Sequence, residues 1–521
     1  MQLAGLASDG GENLLTIADR APGGATLAVV VADDPDAPVL DAAERRGIET
    51  YVPGGDPADR EARIVDHLDE RAVGLVCLDG WHPDPSEEFL GDAPPTLAVT
   101  RSLSPDHPGG WNGDGDDPVA AALSAGVQIT GCTVRLLGEN GGVVTQEPVP
   151  AYADDDRSDL RARIDEAITT AYPRAVRWFA AGDVTVEDGI RVEADHGGRF
   201  PSRWLGTADR ERELRYGENP HQDAAVYGRA TDDASVVGPH RLNEGAKSLS
   251  YNNYNDADGA LGLITEFDRP AAAVIKHTNP AGCATADSLA TAYDRALATD
   301  PESAFGGVVA LDRECDRATA ESITDSYKEV VVAPGYTDEA TTVLCDSGDL
   351  RVLDIGALPD ERPRATVEKQ IAGGRLIQDR DDQRLSTGDL EVVTEREPTD
   401  EQVETMLFAW PTVKHVASNA IVLAAGTETV GVGAGQMSRV DAVRLATTKA
   451  REDARGKSPE GSVMASDAFF PFPDGIEAAA DAGVEAVVQP GGSVKDDEVI
   501  RAADDLGLAM AFTGQRAFRH D

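Results

Sequence analysis

Ala25-Thr-Leu-Ala-Val-Val-Val-Ala32 and Ala72-Val-Gly-Leu-Val-Cys-Leu78 are short, Val-rich runs that lack the polar alternation of a half-exposed strand. Strands buried on both faces belong to parallel sheets covered by helices. Helix-like segments at residues 41–46 and 59–70 lie between them, so the chain opens in βαβ order and its class is α/β. A further strand, ITGCTVRLL, follows near residue 130, and residues 158–179 read as a helix ending before Ala181-Gly182. Composition then turns polar over about 183–207, which sets the first domain at 1–188. The polar, Arg/Asp-rich stretch at about 346–399 divides the remainder into two mixed α/β lobes, 189–370 and 371–521.

The 521 residues carry 47 Lys+Arg against 93 Asp+Glu, a formal charge of -46, with no basic block that could track a phosphate backbone. Nucleic acid is therefore not an expected partner. At 41% apolar residues each domain can bury a core, so the acidity belongs to a folded surface rather than a disordered polymer. Only eight residues are Lys, and none precedes Lys247. Such a surface suits a salt-loaded cytoplasm, where the screening length falls to about 3 Å at 1 M. The five cysteines are scattered without a C-x-x-C pair, giving neither a disulfide framework nor a zinc site, and no metal ligand set is expected. No apolar run approaches a membrane span and MQLAGLASDGG lacks a leader pattern, so a cytoplasmic protein with no membrane partner is expected.

Lysine is scarce enough that its positions carry information. Lys276-His277 follows the buried-strand pattern 271–275, where a strand stops, and strand ends are where α/β sheets bind ligands. An ammonium beside an imidazole could stabilise an oxyanion and serve as a general base. A structural ion pair near a turn is the plainer reading of the dipeptide alone. Val430-Gly-Val-Gly-Ala-Gly-Gln436, leading through Arg439 into a helix-like run, could present N–H groups to an anion, or could simply be a tight strand-to-helix connection. Ser466-Asp-Ala-Phe-Phe-Pro-Phe-Pro-Asp-Gly475 packs three of 11 Phe residues into four positions and fits neither helix nor strand. Its rings could stack on a heterocycle or clamp two lobes together. Gln489-Pro-Gly-Gly-Ser493 is a turn with Ser493 as candidate N-cap, ahead of Asp496 and Asp497.

Taken in order, Arg215-Tyr-Gly-Glu-Asn-Pro-His-Gln222, Lys247-Ser-Leu-Ser-Tyr-Asn-Asn253, Ile275-Lys-His-Thr-Asn-Pro-Ala-Gly282, Ser303-Ala-Phe-Gly-Gly307, Val413-Lys-His-Val-Ala-Ser-Asn419, the Gly loop and the Phe loop resemble aminoimidazole carboxamide ribonucleotide (AICAR) transformylase, over about 212–520. The resemblance implies two deaminase-like α/β/α lobes and formyl transfer from 10-formyltetrahydrofolate to the 5-amino group of AICAR. It implies that His277 takes the amine proton while Lys276 stabilises the tetrahedral oxyanion. Arg215, Tyr216, Gly306, Glu329, Asn419, Arg439, Phe469 and Arg516 match positions that hold the nucleotide; Val440, Asp474, Ser493 and Val494 match the folate site. A homodimer with shared active sites is implied too, and a bound monovalent cation is compatible with it.

The family's usual N-terminal partner is an inosinate cyclohydrolase domain. Here residues 1–188, through LASDGGENLL, QEPVPAY and YPRAVRWFAAGDVTVEDG, instead resemble glycinamide ribonucleotide transformylase, a formyltransferase-like Rossmann-type domain. That family's catalytic Asn-x-His-Pro-Ser strand aligns with Ala98-Val-Thr-Arg-Ser102, its catalytic Asp with Asn140, its phosphate-binding Ser with Glu12, and its folate loop with Asp79-Gly-Trp-His-Pro83. The expectation is a fold kept without its reaction. His82 and His107 could form a relocated base but read better as lone surface histidines. The alternative is a bifunctional enzyme that also formylates glycinamide ribonucleotide.

Overall fold

The computed structural model describes residues 1–55, 59–82, 84–103, 117–139, 141–186, 190–193, 198–228, 234–238, 240–243, 246–358 and 366–520. The chain forms two compact units, Met1–Leu205 and Gly206–Asp521.

In the first unit both apolar runs are strands, Thr26–Val31 and Val73–Leu78, and they flank Gln2–Leu6 in parallel. The described sheet has seven strands in the order Glu49–Tyr51, Thr26–Val31, Gln2–Leu6, Val73–Leu78, Thr96–Thr100, Ile129–Leu136, Gly142–Pro150, the last two added antiparallel. The helix Arg157–Ala181 covers one face. An Asp156/Asp159 capping box starts it, Gly182 stops it with φ 78°, and Leu160, Ile164, Ile168, Tyr172 and Val176 recur at helical spacing to enter the core. The Tyr172 hydroxyl lies 2.9 and 3.0 Å from the carbonyls of Leu78 and Leu97, so the one polar atom of this buried ring is satisfied. The cysteines are free thiols, four of them buried and Cys345 half-buried.

The second unit is built on one described sheet of twelve strands. Their order is His240–Arg241, Arg351–Asp354, Val330–Ala333, Val308–Leu311, Ala271–Lys276, Asn279–Thr285, Glu428–Gly433, Ile421–Ala425, Val463–Ser466, Ala486–Gln489, Ala509–Phe512, Glu391–Val392. A single ladder pair, Ala284 with Glu428, joins the two lobes' strands into that sheet. Alternate residues bury opposite faces: Ala271, Ala273 and Ile275 meet Ala257, Ala260 and Trp410 on one side, while Ala272 and Val274 meet Leu289, Ala292 and Ile323 on the other. Helices on both faces thus make an α/β/α layering, which is why these strands read as unbroken apolar runs.

Candidate active site

Lys276 ends the strand Ala271–Lys276, and the chain turns straight back into Asn279–Thr285. Lys276 pairs with Asn279 across a two-residue turn of His277 and Thr278, whose φ angles are 51° and 63°. Hairpins favour such turns because their twist matches the strands, but Asn and Gly usually fill them, and a β-branched residue at positive φ is an outlier. Strain of this kind persists only where the surroundings impose it, and it concentrates at functional sites.

His277 is exposed and Lys276 half-buried. Nζ of Lys276 donates to the Gly306 carbonyl at 3.2 Å and has no carboxylate partner among the described residues. Other lysines are committed: Lys449 to Asp300 and Asp453, Lys457 to Glu428, Lys414 to Glu266. Lys276 and His277 line a cavity of about 200 Å³ together with Asp300, Ser303, Val432 and Lys449. Burial alone would lower the pKa of Lys449, but hydrogen bonds and charge from Asp300 and Asp453 raise it overall, so its ammonium is fixed. Sequence reading passed over this Lys449–Asp300 pair; the scarcity of lysine was the available signal.

The strand registers place the remaining expected residues along the same end of the sheet. Lys276 neighbours the N-terminal ends of Val308–Leu311 and Val330–Ala333, just preceded by Gly306 and Glu329. The C-terminal ends of Val463–Ser466, Ala486–Gln489 and Ala509–Phe512 lie at that end too, just followed by Phe469, Asp474, Ser493, Val494 and Arg516. The row is long. Val330–Ala333 and Val463–Ser466 stand six places apart, about 29 Å at about 4.8 Å per strand. The strands beside Glu329 and Phe469 are thus well separated along the sheet.

Within the row the residues form local groups. Arg215 stacks on Tyr216 at 4.6 Å and its Nη2 donates to that hydroxyl at 2.8 Å. Oε2 of Glu329 accepts from Asn253 Nδ2 at 2.9 Å and faces Arg351 Nη1 at 3.7 Å. Arg516 stacks on Phe469 at 5.0 Å. Arg439 begins the helix Arg439–Glu452, its Nη1 bound to the buried carboxylate of Asp467 and to the Ala420 carbonyl at 3.1 Å, its Nη2 to Asn419 Oδ1 at 2.8 Å. Asp467 also accepts from the Ser418 hydroxyl and the Ala420 N–H. Val440 and Ser493 are half-buried, whereas Asp474 and Val494 are exposed.

Two local readings change. Gly431 and Gly433 lie inside the strand Glu428–Gly433, and a Cβ on either would collide with the carbonyl of Ala446 or Ala442 in the overlying helix. Those two glycines serve strand–helix packing and form neither an anion-binding turn nor the connection itself, in which Gly435 stands at φ 67°. Ser493 is not the N-cap of Asp496–Asp505; that place is held by Lys495, and the Asp496 carboxylate folds back to accept from the N–H groups of Gly492 and Ser493.

In the first unit the Asp79 carboxylate, 8% exposed, accepts from the N–H of Asn13 at 2.9 Å and from its Nδ2 at 2.8 Å. It thereby occupies the start of the helix Glu12–Arg20, where Gly11 supplies no side-chain cap. Burial pushes the Asp79 pKa up, opposed by the Asn13 hydrogen bonds. Arg101 Nε is paired with Asp165 at 2.6 Å; Glu12 and His82 are exposed. Pro83, His107 and Asn140 lie outside the described residues.

Comparison with known proteins bears on both units. The family model described as AICARFT/IMPCHase bienzyme matches residues 161–449, and the formyl transferase model matches residues 1–176. The bifunctional purine biosynthesis protein PurH of Paracoccus denitrificans is 48% identical over 381 residues, 71% of this chain and 69% of that one. That of Rhodospirillum rubrum is 52% identical over 312 residues, 59% of each. Among solved structures, glycinamide ribonucleotide transformylase 1 from Symbiobacterium toebii is 30% identical, covering 37% of this chain and 93% of its own, with a TM-score of 0.33.

Proposed function

The chain belongs to the AICARFT/IMPCHase bienzyme family, and we propose that its Gly206–Asp521 unit transfers a formyl group from 10-formyltetrahydrofolate to the 5-amino group of AICAR in purine synthesis. One observation carries the assignment of roles: Lys276, paired among the described residues only to a carbonyl, and His277, exposed on a strained turn, line the same cavity. The amine is aniline-like and weakly nucleophilic. In this reading His277 removes its proton as nitrogen attacks the formyl carbon, and Lys276 meets the negative charge that develops on the formyl oxygen. When the carbon–nitrogen bond to folate breaks, the proton held by His277 passes to the departing nitrogen. Arg215, Tyr216, Gly306, Glu329, Asn419, Arg439, Phe469 and Arg516 then hold the nucleotide, and Val440, Asp474, Ser493 and Val494 line the folate site.

The reading includes a homodimer. About 29 Å along one sheet exceeds what one nucleotide can span, so residues from two copies would complete each site. It includes a monovalent cation as well. Its support is the resemblance alone, and no group of three or more His, Cys, Asp or Glu side chains among the described residues is placed to hold a metal. The acidic, Lys-poor composition supports a salt-loaded cytoplasm. No helix among the described residues is long and apolar enough to cross a membrane.

The division at 188 and 370 remains part of the proposal, with the first domain catalytically silent. Its support is that Asp79 fills the helix start at which an anion would be held. Separate assays of the purified chain in molar KCl, with AICAR and with glycinamide ribonucleotide, test the whole reading. Formylation of AICAR alone is expected; turnover of glycinamide ribonucleotide would restore the bifunctional alternative, and turnover of neither would end the assignment.

A further inference from the structure

We propose that Asp256 is a positioning residue for His277, acting through the backbone N–H of Thr278. The inference rests on the reading of His277 as the general base. His277 and Thr278 both adopt positive φ without the Asn or Gly that would make this easy, so something outside the turn must hold it. The His277 carbonyl is satisfied locally, accepting from Thr278 Oγ1 at 2.7 Å and from Asn279 Nδ2 at 3.0 Å, while the Thr278 carbonyl accepts from Arg519 Nη1 at 3.5 Å. The N–H side reaches elsewhere. Thr278 N donates to Asp256 Oδ1 at 2.7 Å, and this is the peptide that links Thr278 to His277.

Asp256 is well placed to impose a geometry. It sits inside the helix Tyr251–Ile264, started by a Ser250/Asn253 capping box and anchored through the buried residues Tyr254, Ala257 and Ala260. The helix is thus a rigid support, and the carboxylate is half-buried and directed at one amide. Holding that peptide plane restrains ψ of His277 and so the direction of its Cα–Cβ bond, from which the imidazole projects beside Lys276. Misplacement of a reacting group by about 1 Å is enough to cost about 100-fold in rate.

The experiment compares D256A, D256N and H277A in the full chain, in molar KCl, with AICAR and 10-formyltetrahydrofolate. D256A is expected to lower kcat about 10- to 100-fold while both KM values stay within about threefold. D256N keeps an acceptor oxygen and is expected to recover most of kcat. D256A added to H277A is expected to cost little more than H277A alone, which a merely structural role would not produce. Full kcat in D256A with H277A inactive would overturn this inference and leave the reading of His277 standing. An active H277A would overturn that reading itself. A D256N as slow as D256A would overturn the backbone route, and D256N supplies the comparison even if D256A does not fold.

Discussion

Arg439 and Asp467 form an ion pair in which the guanidinium is 7% exposed and the carboxylate not at all. The carboxylate is also held by the Ser418 hydroxyl and the Ala420 N–H, so the pair ties the start of one helix to the loop after Val463–Ser466. Removing one member of such a pair leaves a buried charge without compensation, at about 3–5 kcal/mol. Asp467→Ala is expected to lower stability by about that much in equilibrium unfolding. A loss below about 1 kcal/mol would show that water reaches the site.

Lys276 and His277 are expected to separate from the binding residues in steady-state kinetics. His277→Ala lowers kcat by about 10²- to 10⁴-fold, the usual range for a positioned base. Lys276→Ala lowers it by about 10²- to 10³-fold, as does loss of an oxyanion donor. KM for AICAR changes little in either. A raised KM with unchanged kcat would instead make them substrate grips.

The Glu266 carboxylate is 3% exposed and lies 3.0 Å from Lys414 Nζ and 3.1 Å from His415 Nε2. Burial would raise its pKa, but the His415 hydrogen bond and the charges of Lys414 and His415 hold it at about 2, below the ordinary 4.5. Burial in turn pushes His415 down. A depressed carboxylate stabilises the fold fully above its unfolded value and loses that contribution as pH falls through its folded value. Stability should therefore decline between pH 4.5 and about 2, and Glu266→Gln should flatten that part of the curve. Thermal melts across the range decide it; parallel curves would refute the assignment.

A surface at -46 repels itself at low ionic strength. Melting temperature should rise steeply with KCl up to about 1 M, where the screening length is about 3 Å. A melting temperature independent of salt would remove the halophilic reading.

Much of the architecture was legible because it is local. The Val-rich runs, the helix stopped at Gly182 and the break after Lys276 each carry their signal within a few residues. The glycines at 431 and 433 were legible as a pattern but not in purpose, since their neighbour is a helix carbonyl that only the packed structure supplies. Asp256 on Thr278, Asp300 on Lys449 and Asp467 on Arg439 lie far apart in sequence, and no periodicity marks a carboxylate that will meet a distant partner. The Phe loop did announce Asp467, in its second residue, but its rings drew the reading.

The cavity behind Lys276 and His277 is walled partly by Val432 and Lys449, from the other side of the Ala284–Glu428 seam. During synthesis Lys276 and His277, the pair to which the proposal gives the chemistry, leave the ribosome well before those residues exist. A nascent or prematurely terminated chain therefore displays the pair on an open face, and the enclosure that would confine a reactive one-carbon unit forms only when the late strands dock.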